Sequence, residues 1–230
     1  MLLCGLQKLS MVDFPAKLAA TVFTGGCNLR CPFCHNALLV TRLEETEALT
    51  EAEVLNFLSG RTKLLDGVVL TGGEPLLHTD AIDFLRKVRE LGFAIKLDTN
   101  GFFPDRLSQI LSAGLADYVA MDIKASPQGY AAACGMDSLD LAPVRESIQL
   151  LRNADVDFEF RTTAVRELHN REDFLAIGEW LQGSPRYFLQ NFVDSGNLIH
   201  EGFHSFEVEE LQGFAALLTP FFDRVELRGV

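Results

Sequence analysis

The chain has 230 residues, 48% apolar and 23% charged, which suits a folded globular protein with a sizeable core and argues against disorder. A formal charge of −12 speaks against a nucleic-acid surface, which needs clustered Lys and Arg, and against an anionic membrane. The start, "MLLCGLQKLSMVDFP", has no basic region before a long apolar run, and "LLCG" lacks the lead of a lipoprotein signal, so the expected location is the cytoplasm.

Residues 1–17 read as an N-terminal extension before a first strand at 18–24 ("LAATVFT"). A cysteine-bearing loop at 25–36 follows. Next comes a helix in "TEAEVLNFLSG", where Thr50 and Glu53 make a capping box and Gly60 ends it. A strand at 67–71 ("GVVLT") leads to the helical "TDAIDFLRKVRELG", which stops at Gly92, and then to a strand at 93–98. "PDRLSQILSAG" has Pro104 at the first helical turn and Gly114 past the last. Further strands are expected at 117–123, 156–163 and 186–193. Segment 205–230 should hold a C-terminal helix and, near 222–228, an extra strand.

Strand and helix thus alternate about six times, which implies parallel strands joined by right-handed crossovers. Eight such units would close a barrel. Six give an α/β fold of the partial (β/α)6, TIM-like type, expected as a single domain over residues 1–230, since no composition break marks a linker.

Polar and glycine-rich groups fall at the carboxyl ends of these strands: "GGC", "TGGEP", "DTNG", "DIKA", "RTT" and "QNF" in turn. Glycine, Asn and Asp make turns anywhere, but six such groups on one rim mark the place where parallel barrels build their sites. Gly72 and Gly73 let backbone approach a ligand, and the Glu74 carboxylate suits an ammonium group.

Five cysteines without a secretion signal point to metal binding or reactivity and not to disulfides. Cys4 and Cys134 lie far from the others and read as small buried hydrophobes. Cys27, Cys31 and Cys34, spaced by three and then two residues, can wrap one metal centre from a single loop. A [4Fe–4S] cluster held by three thiolates keeps one iron open. Structural zinc is the alternative, with His35 or Cys134 completing a tetrahedron. His78, His169, His200 and His204 show no ligand spacing and read as surface or structural.

The CxxxCxxC loop with Phe33 before its last cysteine resembles the signature of the radical S-adenosylmethionine (SAM) superfamily, and "GGE" resembles the motif that holds the methionyl amine there. The resemblance implies a [4Fe–4S] cluster on Cys27, Cys31 and Cys34, with SAM on the open iron. One electron passed into the sulfonium would then give methionine and a 5′-deoxyadenosyl radical. Phe33, His35 and Asn36 would line the adenine side, Arg161 would face SAM, and Gln190 and Phe192 would contact ribose or adenine.

"DTNG" and "MDIKA" narrow the resemblance to the glycyl-radical-enzyme activases. It implies cofactor contacts at Asn100. Asp98, Thr99 and Asp122, with the Met121 carbonyl, would hold a monovalent cation near the SAM carboxylate, and Lys124 would reach that carboxylate or the ribose. On the residues alone, Asp98 and Asp122 cap turns and Lys124 pairs with one of them. Together with "GLQKLSMVDFP" and "FRTT", these motifs resemble the anaerobic ribonucleoside-triphosphate reductase activating proteins along nearly the whole chain. That implies a glycyl radical enzyme as partner and reduced flavodoxin or ferredoxin as electron donor. Ala16 stands where the related motif has Gly. A small-molecule radical SAM enzyme of the deazapurine-synthase kind, and a non-catalytic iron–sulfur or zinc protein, remain the alternatives.

Overall fold

The structure, a computed structural model, describes all residues from Met1 to Val230. Its strands are β1 (Leu3–Ser10), β2 (Ala19–Thr24), β3 (Gly67–Gly72), β4 (Ala94–Thr99), β5 (Tyr118–Asp122), β6 (Asp157–Ala164), β7 (Ser184–Asn191) and β8 (Phe222–Arg228). Its helices are α1 (Ala37–Thr41), α2 (Glu51–Ser59), α3 (Ala81–Glu90), α4 (Pro104–Ser112), α5 (Tyr130–Ala133), α6 (Ala142–Asn153), α7 (Arg171–Leu181) and α8 (Val208–Leu218). The strands follow one another in the sheet in chain order, β1 to β8. Each strand from β2 to β7 is followed by helix, giving six βα units. No helix is long and apolar enough to cross a membrane.

The chain forms two compact units that interleave along the sequence. The first comprises Met1–Asn28, Leu38–Ala120 and Pro143–Asp157; the second comprises Leu29–Ala37, Met121–Ala142 and Phe158–Val230.

In the first unit β2 pairs parallel with β3, Val22 opposite Leu70, and β3 parallel with β4, Leu70 opposite Leu97. These strands are mostly apolar because both faces are covered, and Val22, Val68, Val69, Leu70, Ile95 and Leu97 are all fully buried. Helix α3 adds Phe84, Leu85 and Val88, each burial stabilising by about 1.5–3 kcal/mol. Thr50 and Glu53 form the expected capping box on α2, and Pro104 opens α4.

Strand β1 was not expected. It lies antiparallel on β2, with Leu6 opposite Val22, and its pairing is irregular between Leu3 and Gly5 and again between Gln7 and Ser10. Those irregularities break the period-2 pattern by which a strand is recognised. Residues 3–10 of the expected extension are therefore part of the sheet.

In the second unit β6 pairs parallel with β7, Arg161 opposite Phe188, and β7 with β8, Phe188 opposite Glu226. The expected strand at 222–228 is thus real. Helix α7 opens on a capping box between Asn170 and Asp173.

Candidate active site

In the first unit the ends of β2, β3 and β4 are fastened to one another. Gly73 N–H donates to the Thr24 carbonyl at 2.9 Å and Glu74 N–H to the Gly26 carbonyl at 2.8 Å. A Cβ on Gly73 would overlap the Gly26 carbonyl oxygen, and one on Gly72, whose φ is +128°, would overlap the Thr24 backbone. Both glycines are needed for this approach of the two chain segments. His78 Nε2 donates to the Gly25 carbonyl at 2.8 Å, a structural role.

Glu74 departs from its expected use. Its side chain is 0% exposed. One carboxylate oxygen accepts the Leu76 N–H and the Thr99 hydroxyl, and the other accepts the Asn100 N–H. A carboxylate so enclosed does not face a ligand's ammonium; it orders the loops that would. Asn100, also buried, donates its amide to Asn28 Oδ1 at 2.8 Å and to the Cys27 sulfur at 3.8 Å. The chain from Glu74 through Asn100 to Cys27 ties "TGGEP" and "DTNG" to the first cysteine. Thr99 hydroxyl also accepts the Gly101 N–H. Asp98 accepts the Thr71 hydroxyl at 3.1 Å and is paired with Lys96 at 2.5 Å.

In the second unit Asp122, at the end of β5, accepts Lys124 Nζ at 2.9 Å and Arg161 Nε from β6. Burial pushes the Asp122 carboxyl up, but the Arg161 and Lys124 charges outweigh it and hold the group well below the carboxylate range. Burial works against the Lys124 ammonium, yet the Asp122 and Cys31 charges leave it more basic than an ordinary lysine. Lys124 pairs as the residues alone suggested. His169 Nε2 donates to the Lys124 carbonyl at 2.9 Å, and its Nδ1 accepts the Val165 N–H at 3.0 Å, which sets the tautomer and holds the loop.

Cys31 is buried, and its thiol is lowered to about 7 by a hydrogen bond from the Cys134 side chain, against burial and with help from the Lys124 charge. Burial raises the Cys34 thiol. Cys134 is fully buried, as expected, and also grips the loop by backbone: Arg30 N–H donates to its carbonyl at 3.1 Å. Gly135, with φ +69°, sits where a Cβ would overlap the Arg30 carbonyl oxygen. Cys4 is half-exposed, not buried, and accepts the Thr46 hydroxyl.

Phe33 is buried and meets Phe203 edge-on, His35 is exposed with its carbonyl near the Ser195 hydroxyl, and Asn36 is half-exposed. Gln190 is half-buried at the end of β7, whereas Phe192 is 4% exposed, which leaves little of its ring for a ligand. Met121 is fully buried in β5. His200 and His204 are exposed.

The donor set fits an iron–sulfur cluster. Each of its three thiols can take one iron of a four-iron cluster and leave the fourth open. A thiol near neutrality, hydrogen-bonded and beside an ammonium, is prepared for ligation.

Sequence reasoning missed Lys96 and Asn28, and brought Cys134 to the cysteine loop only in its zinc alternative, whereas the structure hydrogen-bonds it to Cys31. A lysine inside the apolar run "FAIKLD" was a usable signal; nothing local distinguished Asn28.

The first unit carries Cys27 and close-packed glycine backbone at the ends of β2 and β3, and the second carries Cys31, Cys34 and a carboxylate–cation group at the end of β5, within an α/β protein. The sequence profile of the Radical SAM superfamily matches residues 21–181, and the chain belongs to that superfamily and to its glycyl-radical-activase-like family. It is 31% identical to an inferred glycyl-radical enzyme activating enzyme of Methanocaldococcus jannaschii over 100% of this chain and 96% of that protein. It is 43% identical to the 7-carboxy-7-deazaguanine synthase of Halobacterium salinarum, over 37% of this chain and 34% of the other. The fold matches Streptococcus suis SuiB bound to S-adenosylmethionine with a TM-score of 0.71 at 14% identity. That match covers 90% of this chain and 49% of SuiB, so the chain spans about half of that protein. The chain is a radical SAM enzyme, and its family implies a [4Fe–4S] cluster and SAM.

Proposed function

We propose that this enzyme generates a glycyl radical on a partner protein similar to anaerobic ribonucleoside-triphosphate reductase, in the cytoplasm, with reduced flavodoxin or ferredoxin as electron donor. The observation that carries this reading is similarity to an activating enzyme along the full chain, whereas similarity to the deazaguanine synthase covers 37% of it.

Cys27, Cys31 and Cys34 would hold a [4Fe–4S] cluster. Bound there with SAM, such a cluster would supply the electron for reductive cleavage of the sulfonium. The chain's own residues do the rest. Asp122 is outnumbered by Lys124 and Arg161, and that local excess of positive charge suits the SAM carboxylate. Gly72 and Gly73 bring backbone carbonyls close to the methionyl amine, the task first expected of the Glu74 side chain. Asn100 orients Cys27 through its sulfur. Phe33, His35 and Asn36 would meet adenine, with Gln190 toward the ribose.

The test uses the reconstituted, reduced enzyme with SAM. It should form little 5′-deoxyadenosine alone and should form it in proportion to an added partner with a glycyl-radical loop. Deuterium placed at that glycine Cα should appear in the 5′-deoxyadenosine. Turnover that depends on a purine-like small molecule, with no transfer from the partner, would replace this reading with the synthase one.

A further inference from the structure

We infer that this chain holds Asp98 with an ammonium of its own, on Lys96, at the place where the activase resemblance puts a monovalent metal ion, and that its SAM site works without such an ion.

The argument starts from strand geometry. Residues two apart on a strand point to the same face, so Lys96 and Asp98 of β4 emerge side by side while Ile95 and Leu97 enter the core behind them. Lys96 is 2% exposed, and its Nζ lies 2.5 Å from Asp98 Oδ1. Lysine is almost never so enclosed unless paired, because an uncompensated buried charge is strongly disfavoured. The pair is therefore a fixed part of the fold and not a surface contact that dissolves in salt. The second Asp98 oxygen accepts the Thr71 hydroxyl from β3 at 3.1 Å.

Two of the other ligands assigned to the ion, Thr99 and Asp122, are similarly engaged. Thr99 donates its hydroxyl to Glu74 and accepts the Gly101 N–H. Asp122 carries both Lys124 and Arg161. Each carboxylate assigned to the ion thus has a cation from the chain itself. An ammonium is a compact unit charge with three donors, chemically close to potassium in what it asks of oxygen ligands. The residues present do not fit an added metal ion, because they already contain its equivalent.

The inference rests on the SAM site proposed above and is independent of the partner. SAM binding to the reconstituted enzyme is measured by equilibrium dialysis in buffers whose monovalent cation is choline, sodium or potassium. Wild-type affinity should agree within about twofold in all three. Lys96→Met, which keeps side-chain length and removes the charge, should lose about tenfold in choline and recover in potassium. Thallium(I), a spectroscopic stand-in for potassium, is titrated without SAM and read by thallium NMR, so this arm is separate from the SAM reading. Wild-type protein should leave it free; Lys96→Met should bind one ion. Stoichiometric thallium binding by the wild type, or a tenfold dependence of its SAM affinity on sodium or potassium, overturns the inference. The wild-type measurements decide even if Lys96→Met fails to fold.

Discussion

Glu74 accepts the Thr99 hydroxyl at 2.8 Å, a bond between the loop after β3 and the end of β4 that no solvent reaches. With the Leu76 and Asn100 N–H groups on the same carboxylate, it leaves three donors dependent on one side chain. Removing it orphans them in a buried setting, where each unsatisfied group costs about 1–3 kcal/mol. Glu74→Ala should therefore lower the stability of the metal-free protein by roughly 2–4 kcal/mol in urea unfolding. Glu74→Gln should lose less, since its amide oxygen still accepts. If Glu74→Ala unfolds like the wild type and only SAM affinity falls, the carboxylate meets the ligand after all.

His169 supplies a pH dependence. Burial lowers its basicity, against its bonds to the Lys124 and Val165 backbone. The unfolded chain binds the proton more readily, so this contribution is fully present above the ordinary histidine value and is lost as pH falls through the depressed folded one. Protonation also removes the lone pair that accepts the Val165 N–H. Urea unfolding from about pH 7.5 to about pH 5 should show the wild type losing more stability than His169→Gln. Equal losses would show that the ring is not held neutral.

How much of this could be read from the sequence differs between backbone and charges. The parallel strands and the helices α2, α3 and α4 were legible because burial and caps are written locally: Thr50 with Glu53, Pro104, and the run "GVVLT". Strand β1 was hidden by its irregular pairing with β2. The Asn170–Asp173 box of α7 is a weaker signal than the one on α2, since Asp replaces the usual Glu or Gln. In the site, residue types and the pairing of Lys124 with a carboxylate were legible, and most other partners were not. That Glu74 turns inward to Thr99 and Asn100 depends on which strand ends meet, and no spacing within one segment encodes it, whereas the Lys96–Asp98 pair, two apart on β4, was there to be read in "FAIKLD".

Ala16 is the one non-glycine residue with positive φ, at +57°. It stands where the related motif has Gly, the residue that a left-handed turn favours. The left-handed conformation costs an alanine about 1–2 kcal/mol, while glycine adds roughly 0.5–1 kcal/mol of unfolded-state entropy. Ala16→Gly should therefore stabilise the protein by roughly 0.5–1 kcal/mol in urea unfolding. A variant less stable than the wild type would mean that the Ala16 methyl makes a contact worth more than the strain.

Gly73 and Gly92 separate close approach from backbone strain. A Cβ on Gly73 would overlap the Gly26 carbonyl oxygen, which is rigid backbone one residue before Cys27, so something in the cysteine loop must shift. Gly92 has φ +89° but nothing within 4 Å of the place a Cβ would take, so Gly92→Ala meets only conformational strain of about 1–2 kcal/mol. Gly73→Ala should cost stability too, but its distinguishing effect should be on the loop: iron and sulfide content after anaerobic reconstitution should fall well below that of Gly92→Ala, even where the two unfold at similar urea concentrations. Full cluster content in Gly73→Ala would mean that the strand ends part without disturbing Cys27, and the contact between Gly73 and Gly26 would then be a packing feature alone.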